Sequence, residues 1–129
     1  MRTGSLLLGM MMAASLAGCS DSLCGNEMLD RITSPDGKMV AAVFSRECGA
    51  TTGSNVQVSI IRQGTVPDDA GNIFIMDSAS YSADIKPRWI DNGHLALIIP
   101  EYSRVYLKNG SAEGVRISYQ DQRSGFESD

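Results

Sequence analysis

Beyond residue 19, no segment of this chain carries apolar residues at a 3.6-residue spacing, whereas short apolar runs of period two, or apolar on both faces, recur between turn residues. Such a pattern buries strand faces rather than a helical stripe. The fold expected is all-β, either a small antiparallel sheet or a two-sheet sandwich. Residues 29–33 make the first strand and lead into Ser34-Pro35-Asp36-Gly37, where Pro sets φ at about −65° and Gly can take a positive φ. Residues 39–44 are apolar on both faces, as in a central strand covered on both sides. Val56, Val58 and Ile60 alternate with Gln57 and Ser59, which predicts a half-buried strand. A polar loop over 63–72 carries Pro67, Asp68, Asp69 and Gly71, and strands are expected at 73–76, 85–90, 94–99, 105–108 and 115–119. The turn Asp91-Asn92-Gly93 makes 85–99 the clearest hairpin. In the last strand, Val115, Ile117 and Tyr119 share one face and Arg116 and Ser118 the other.

The residues before this β region have another purpose. Arg2, an apolar run from Leu6, and then Leu16-Ala17-Gly18-Cys19 have the layout of a bacterial lipoprotein signal peptide, cleaved between Gly18 and Cys19 once the thiol carries diacylglycerol. The run is well short of the roughly 18 apolar residues that a membrane-crossing helix needs. The chain is therefore expected to divide into a signal peptide (1–18), a lipidated N-terminus and short tether (19–27), a β domain (28–120) and a polar tail (121–129). Ser20 follows the cysteine in place of the Asp that holds lipoproteins at the inner membrane of enteric bacteria. In a host with two membranes, the outer membrane facing the periplasm is the expected location.

Removal of residues 1–18 from the 129-residue chain leaves 111, which is one domain with one modest core. Arg2 leaves with the signal, so 10 Lys and Arg face 15 Asp and Glu, a formal net charge of −5. A surface of that sign repels phosphate backbones, which argues against nucleic-acid binding, and it gains nothing from anionic headgroups. Membrane attachment then has to come from the lipid on Cys19. The two other cysteines, Cys24 and Cys48, are an even pair in an exported chain, and a disulfide between them is the simplest reading. The competing reading makes Cys48 a reactive thiol beside Arg46, with Glu47 opposing that cation.

An internal echo links Asp36-Gly37-Lys38-Met39-Val40-Ala41 with Asn92-Gly93-His94-Leu95-Ala96-Leu97. Ser34-Pro35-Asp36-Gly37-Lys38 resembles the turn that recurs in blades of periplasmic TolB-type β-propellers, and Trp89-Ile90-Asp91-Asn92-Gly93 is similar to a second. A closed propeller takes about four or more blades, and this chain has room for at most two. The order Ser34-Pro35-Asp36-Gly37-Lys38, then Val43 to Thr52 with its Cys48-Gly49-Ala50-Thr51-Thr52 segment, Val56 to Ile60, Gly71-Asn72-Ile73-Phe74 and Trp89 resembles a family of small bacterial proteins known as a domain of unknown function. The resemblance covers most of the mature chain. It implies a shared fold and an envelope location for exported members, and no activity.

Candidate chemistry is thin. His94 is the only histidine, and no nucleophile stands beside it in sequence. No Gly-x-Ser-x-Gly elbow or Ser-x-x-Lys motif occurs. The segment from Cys48 to Asn55 lacks the lysine and spacing of a phosphate loop, and reads either as a tethered turn or as a recognition edge made by Arg46, Thr51 and Thr52. Asp68, Asp69 and Asn72 lack the alternating oxygens and terminal Glu of a calcium loop, so no metal is expected, and no cofactor. Asn109-Gly110-Ser111 reads as an Asn-Gly turn. Trp89 and Tyr102 are candidates for a binding patch, against the plainer role of a core anchor for a single tryptophan. The expected function is a membrane-anchored, non-catalytic binding or interaction module of the envelope. Its alternatives are a periplasmic inhibitor or immunity-type protein acting on a cell-wall hydrolase or toxin, and an enzyme using Cys48 or His94.

Overall fold

The computed structural model describes residues 24–49, 55–77, 84–100 and 104–121. Nine strands are formed there: β1 (Gly25–Thr33), β2 (Met39–Glu47), β3 (Asn55–Arg62), β4 (Phe74–Asp77), β5 (Lys86–Asp91), β6 (His94–Ile99), β7 (Val105–Lys108), β8 (Ser111–Ala112) and β9 (Val115–Asp121). They build a five-stranded sheet in the order β1-β2-β3-β4-β7 and a four-stranded sheet in the order β5-β6-β9-β8. The fold is an all-β two-sheet sandwich with one disulfide, Cys24 to Cys48. The signal segment, Cys19, Thr51, Thr52, Tyr102 and the tail from 122 lie outside the described residues.

The alternation read from sequence supplies the core between the sheets. Ala41, Val43, Val56, Val58, Ile60, Phe74 and Met76 face inward from the larger sheet, and Leu95, Leu97, Ile99, Val115 and Ile117 meet them from the smaller one. Each large side chain so buried contributes about 1.5–3 kcal/mol. Three polar ties hold the sheets in line. Trp89 Nε1 donates to Ile32 O at 2.9 Å, Asp36 N donates to Asn92 Oδ1 at 2.9 Å, and the Tyr119 hydroxyl donates to Ile73 O at 2.9 Å. These ties set β5 against β1 and β9 against the residue that precedes β4. The two echoed turns, 34–38 and 91–93, thus meet at one end of the molecule, and the disulfide lies at the other.

Four features depart from the sequence reading. The domain starts earlier than residue 28: Cys24 is clamped to Cys48, so pairing begins at Gly25 opposite Glu47, and the expected tether loses its last residues to β1. The second departure is in β3, which is not half-buried, since Gln57 and Ser59 are as enclosed as their apolar neighbours. Loop 63–72 straps the outer face of the large sheet, which β2 has already lined with buried Val40, Ala42 and Phe44. Third, β6 and β9 pair in parallel, Leu95 beside Ile117 and Leu97 beside Tyr119, so the smaller sheet is mixed. Fourth, Asn109 and Gly110 are a corner between sheets rather than a hairpin turn; Asn109 N donates to Ile73 O and its Nδ2 to Asn72 O, both at 2.8 Å. The tight turn lies at Glu113 and Gly114, whose φ values of 52° and 78° match a two-residue turn with both central residues left-handed.

Candidate functional site

Polar side chains on the outer face of β3 explain the strap. Gly71 N donates to Gln57 Oε1 at 2.6 Å, and Asn72 N to Ser59 Oγ at 3.1 Å. Asn72 then reaches β3 itself, its Oδ1 accepting from Ile60 N at 2.8 Å and its Nδ2 donating to Ile60 O at 2.9 Å. Only a glycine fits at 71, because a Cβ there would lie 2.9 Å from Val58 O and 3.0 Å from Phe74 O. On β1, Asn26 Nδ2 donates to Pro67 O and Asp69 O, and the Arg31 guanidinium donates to Thr65 O. A cleft of about 490 Å³ opens beside the strap, with Arg62, Asp68, Asp69 and Glu113 on its walls. Two of the residues considered as a calcium loop are thus occupied with backbone, Asn72 on Ile60 and Asp69 Oδ1 accepting from Ala70 N. Among the described residues, no group of three or more His, Cys, Asp or Glu gathers that could hold a metal.

The proposed recognition residues divide between the two ends. Arg46 closes the disulfide end of β2, half-buried, its Nη1 donating to Asn26 Oδ1 at 2.8 Å. That bond couples it through Asn26 to the strap. The connection bearing Thr51 and Thr52 leaves β2 and enters β3 at this same end, as the connection bearing Tyr102 leaves β6 and enters β7 there. Trp89 belongs elsewhere. It packs against the core toward the far turns with its indole N–H donated to Ile32, so it serves as an anchor between sheets and leaves Arg46 without an aromatic neighbour from that source.

His94 has acquired partners that its sequence surroundings do not show. In the parallel register it lies beside Arg116, and its Nε2 meets Ser118 Oγ while Arg116 Nη2 meets Nδ1 at 3.2 Å. A serine against a histidine has the outline of a nucleophile and its base. The third member reverses the chemistry. A guanidinium can only donate, so Nδ1 accepts, the ring proton resides on Nε2, and Nε2–H points at Ser118 Oγ. A base that already carries the proton on the facing nitrogen cannot take the one on the serine. A carboxylate at 116 would have set the opposite tautomer. Cys48, the other candidate, has its sulfur bonded to Cys24.

Among the described residues two ionisable groups are shifted, both by structural contacts. Asp36 is held below the ordinary carboxylate value by the Lys38 N–H and then the Ser34 hydroxyl, which together close the far turn. Tyr119 is pushed up to about 12 by burial beside Phe74, with the Lys108 ammonium 4.9 Å from its ring centroid.

No protein-family model, curated protein or solved structure matches this chain. What the protein can do is therefore decided by its own geometry. Sequence reasoning missed Asn26, Gln57, Ser59, Arg116 and Ser118. A signal for Gln57 and Ser59 was present in β2, whose two apolar faces require a cover over the neighbouring strand.

Proposed function

We propose that this protein is a lipid-anchored envelope module that works by non-covalent contacts from a stapled β-sandwich. The observation that carries the reading is the Cys24–Cys48 bridge, which fixes the chain five residues after Cys19, directly before the first strand, and removes the one thiol an enzyme could have used. The same bridge brings Arg46 and the connection holding Thr51 and Thr52 to one end. Three inter-strand connections, the chain before β1 and the chain after β9 emerge there, as binding loops do when a rigid scaffold presents them. The enzyme alternative is weakened by the tautomer of His94 as well as by the bonded Cys48. The inhibitor alternative is the same contact mechanism with a narrower partner, a basic cell-wall hydrolase or toxin steered by an acidic surface.

Attachment is tested through one sulfur. Cys19→Ser leaves an uncleaved or soluble product that does not incorporate radioactive palmitate, and labelling at the wild-type level in this variant would refute the anchor. Contact is tested by placing a photo-crosslinking residue at Arg46 and, as a control, at Asp36 in the far turn. A discrete adduct to an envelope component from position 46 alone supports the module reading. No adduct from 46, or equal adducts from both positions, counts against recognition at the disulfide end.

A further inference from the structure

The four-stranded sheet presents an outer face that reverses the sign of the whole molecule. Its inner face is fixed by Trp89, Leu95, Leu97, Ile117 and Val115 in the core, so alternation turns Lys86 and Arg88 of β5, His94, Ala96 and Ile98 of β6, and Arg116, Ser118 and Gln120 of β9 outward. Arg88 is opposite Ala96, which is beside Ser118, and Lys86 is opposite Ile98, which is beside Gln120. Three cations thus stand around a centre in which Ala96 is buried beneath its neighbours and Ile98 is half-buried, with exposed Ile90 at the irregularity on its margin. Among the described residues none of the three pairs with a carboxylate. Acids of the same sheet stand at its rim, among them Asp121 at the end of β9 and Glu113 in the β8–β9 turn. Asp91 Oδ1 accepts from Gly93 N in the hairpin turn, and Asp84 ahead of β5 has an interaction of its own.

We propose that this face docks on the phosphate headgroups of the membrane that the lipid enters, so that the domain lies flat on its smaller sheet. The proposal rests on the anchored reading above and extends it to orientation. Two observations select a lipid surface over other anionic partners. Charge complementarity is local, with three cations that meet no carboxylate among the described residues and with half-buried Ile98 between them. The reach of the chain also fits: from Cys19 to Cys24 an extended tether spans at most about 17 Å, while the sheets of a sandwich lie about 10 Å apart, so β1 can stay tethered with the smaller sheet beneath it. The formal charge of −5 led to the expectation that anionic headgroups offer nothing; that figure is a sum over the whole surface, whereas a headgroup layer meets only the three cations of this one face.

The test uses full-length lipidated protein carrying one added cysteine, at Gln120 on the face or at Asp68 on the strap, bound to vesicles of phosphatidylcholine alone or with three parts in ten phosphatidylglycerol. Each Lys or Arg near an anionic surface is worth about five-fold in binding, so three cations favour the flat orientation by roughly 100-fold. Labelling of Q120C by an impermeant maleimide is expected to slow at least ten-fold on the anionic vesicles and to recover in 0.5 M salt, with D68C unchanged throughout. Combining K86E, R88E and R116E with Q120C should restore fast labelling while the protein still floats with both vesicles. Fast labelling of Q120C on anionic vesicles by protein that floats with them overturns the docking face. Failure to float with phosphatidylcholine overturns the anchor instead, and binding to anionic vesicles alone, lost in the triple variant, would leave the face standing without it. Failure to float with either vesicle overturns both.

Discussion

A single hydrogen atom distinguishes the histidine of this protein from a general base. Arg116 donates to His94 Nδ1, and the ring proton is therefore directed at Ser118. The same register with a carboxylate at 116 is testable: Arg116→Asp is expected to move the ring proton to Nδ1, seen as an exchange of the two nitrogen shifts in ¹⁵N-histidine spectra, and unchanged shifts would refute the assignment. Gly71 shows how little room the strap leaves. Gly71→Ala forces a methyl against Val58 O and Phe74 O and is expected to cost about 1–3 kcal/mol, read from denaturant unfolding followed by the fluorescence of the single tryptophan, Trp89. Tyr119 gives the protein an alkaline limit. Its proton leaves the unfolded chain near the ordinary value of 10.0 and the folded one at about 12, so the tyrosine's contribution is complete below pH 10 and is lost as pH rises toward 12. Denaturant midpoints measured across that window should fall in the wild type and fall less in Tyr119→Phe. Asp36 acts in the opposite sense. Its folded value is lowered, so the support it gives the far turn is present above pH 3.8 and is lost below it.

Among the elements, the stapled pair β1–β2 carries the largest single constraint. Opening the loop that the Cys24–Cys48 bridge closes restores denatured-state entropy worth about 3.5 kcal/mol in the chain-entropy description. Each kcal/mol moves the midpoint of a domain of about 100 residues by about 4–8 °C, so reduction should lower the thermal midpoint by ten degrees or more. Cys24→Ala with Cys48→Ala should melt near the reduced protein and keep a β-type circular dichroism spectrum. An unmoved midpoint under reductant, with both thiols found free by peptide mapping, would refute the bridge as a staple. Strand existence was legible because alternation is a local signal, and the turns at 34–38 and 91–93 were legible because Pro, Gly, Asp and Asn announce them. The parallel register of β6 with β9 was not, since it is set by partners far apart in the chain. Nor was the Glu113–Gly114 turn, because Glu seldom adopts a positive φ and gives no advance sign of it. The candidate site was legible to the same degree: Cys24, Cys48 and Arg46 announce themselves by residue type, but the ring of His94 gains its meaning only from a strand on the other side of two crossovers.

At the scale of the whole molecule, summed charge and local charge give different answers, and the sandwich is the reason. Two sheets expose two outer faces, the strap puts Asp68 and Asp69 on one, and alternation puts Lys86, Arg88 and Arg116 on the other. No composition count can separate them. The crossing of the chain between sheets has a further effect, on the order in which the fold is completed. β9 is the last described strand, and it is an inner strand of its sheet, with β6 on one side and β8 on the other. Until it is in place, Leu95 and Leu97 lack the neighbours Ile117 and Tyr119 that share their layer, and Ile73 lacks the tyrosine hydroxyl. The final strand thus acts as a keystone set late and from within. In a chain that emerges amino end first, Leu95 and Leu97 wait for residues 115–121 to complete their layer.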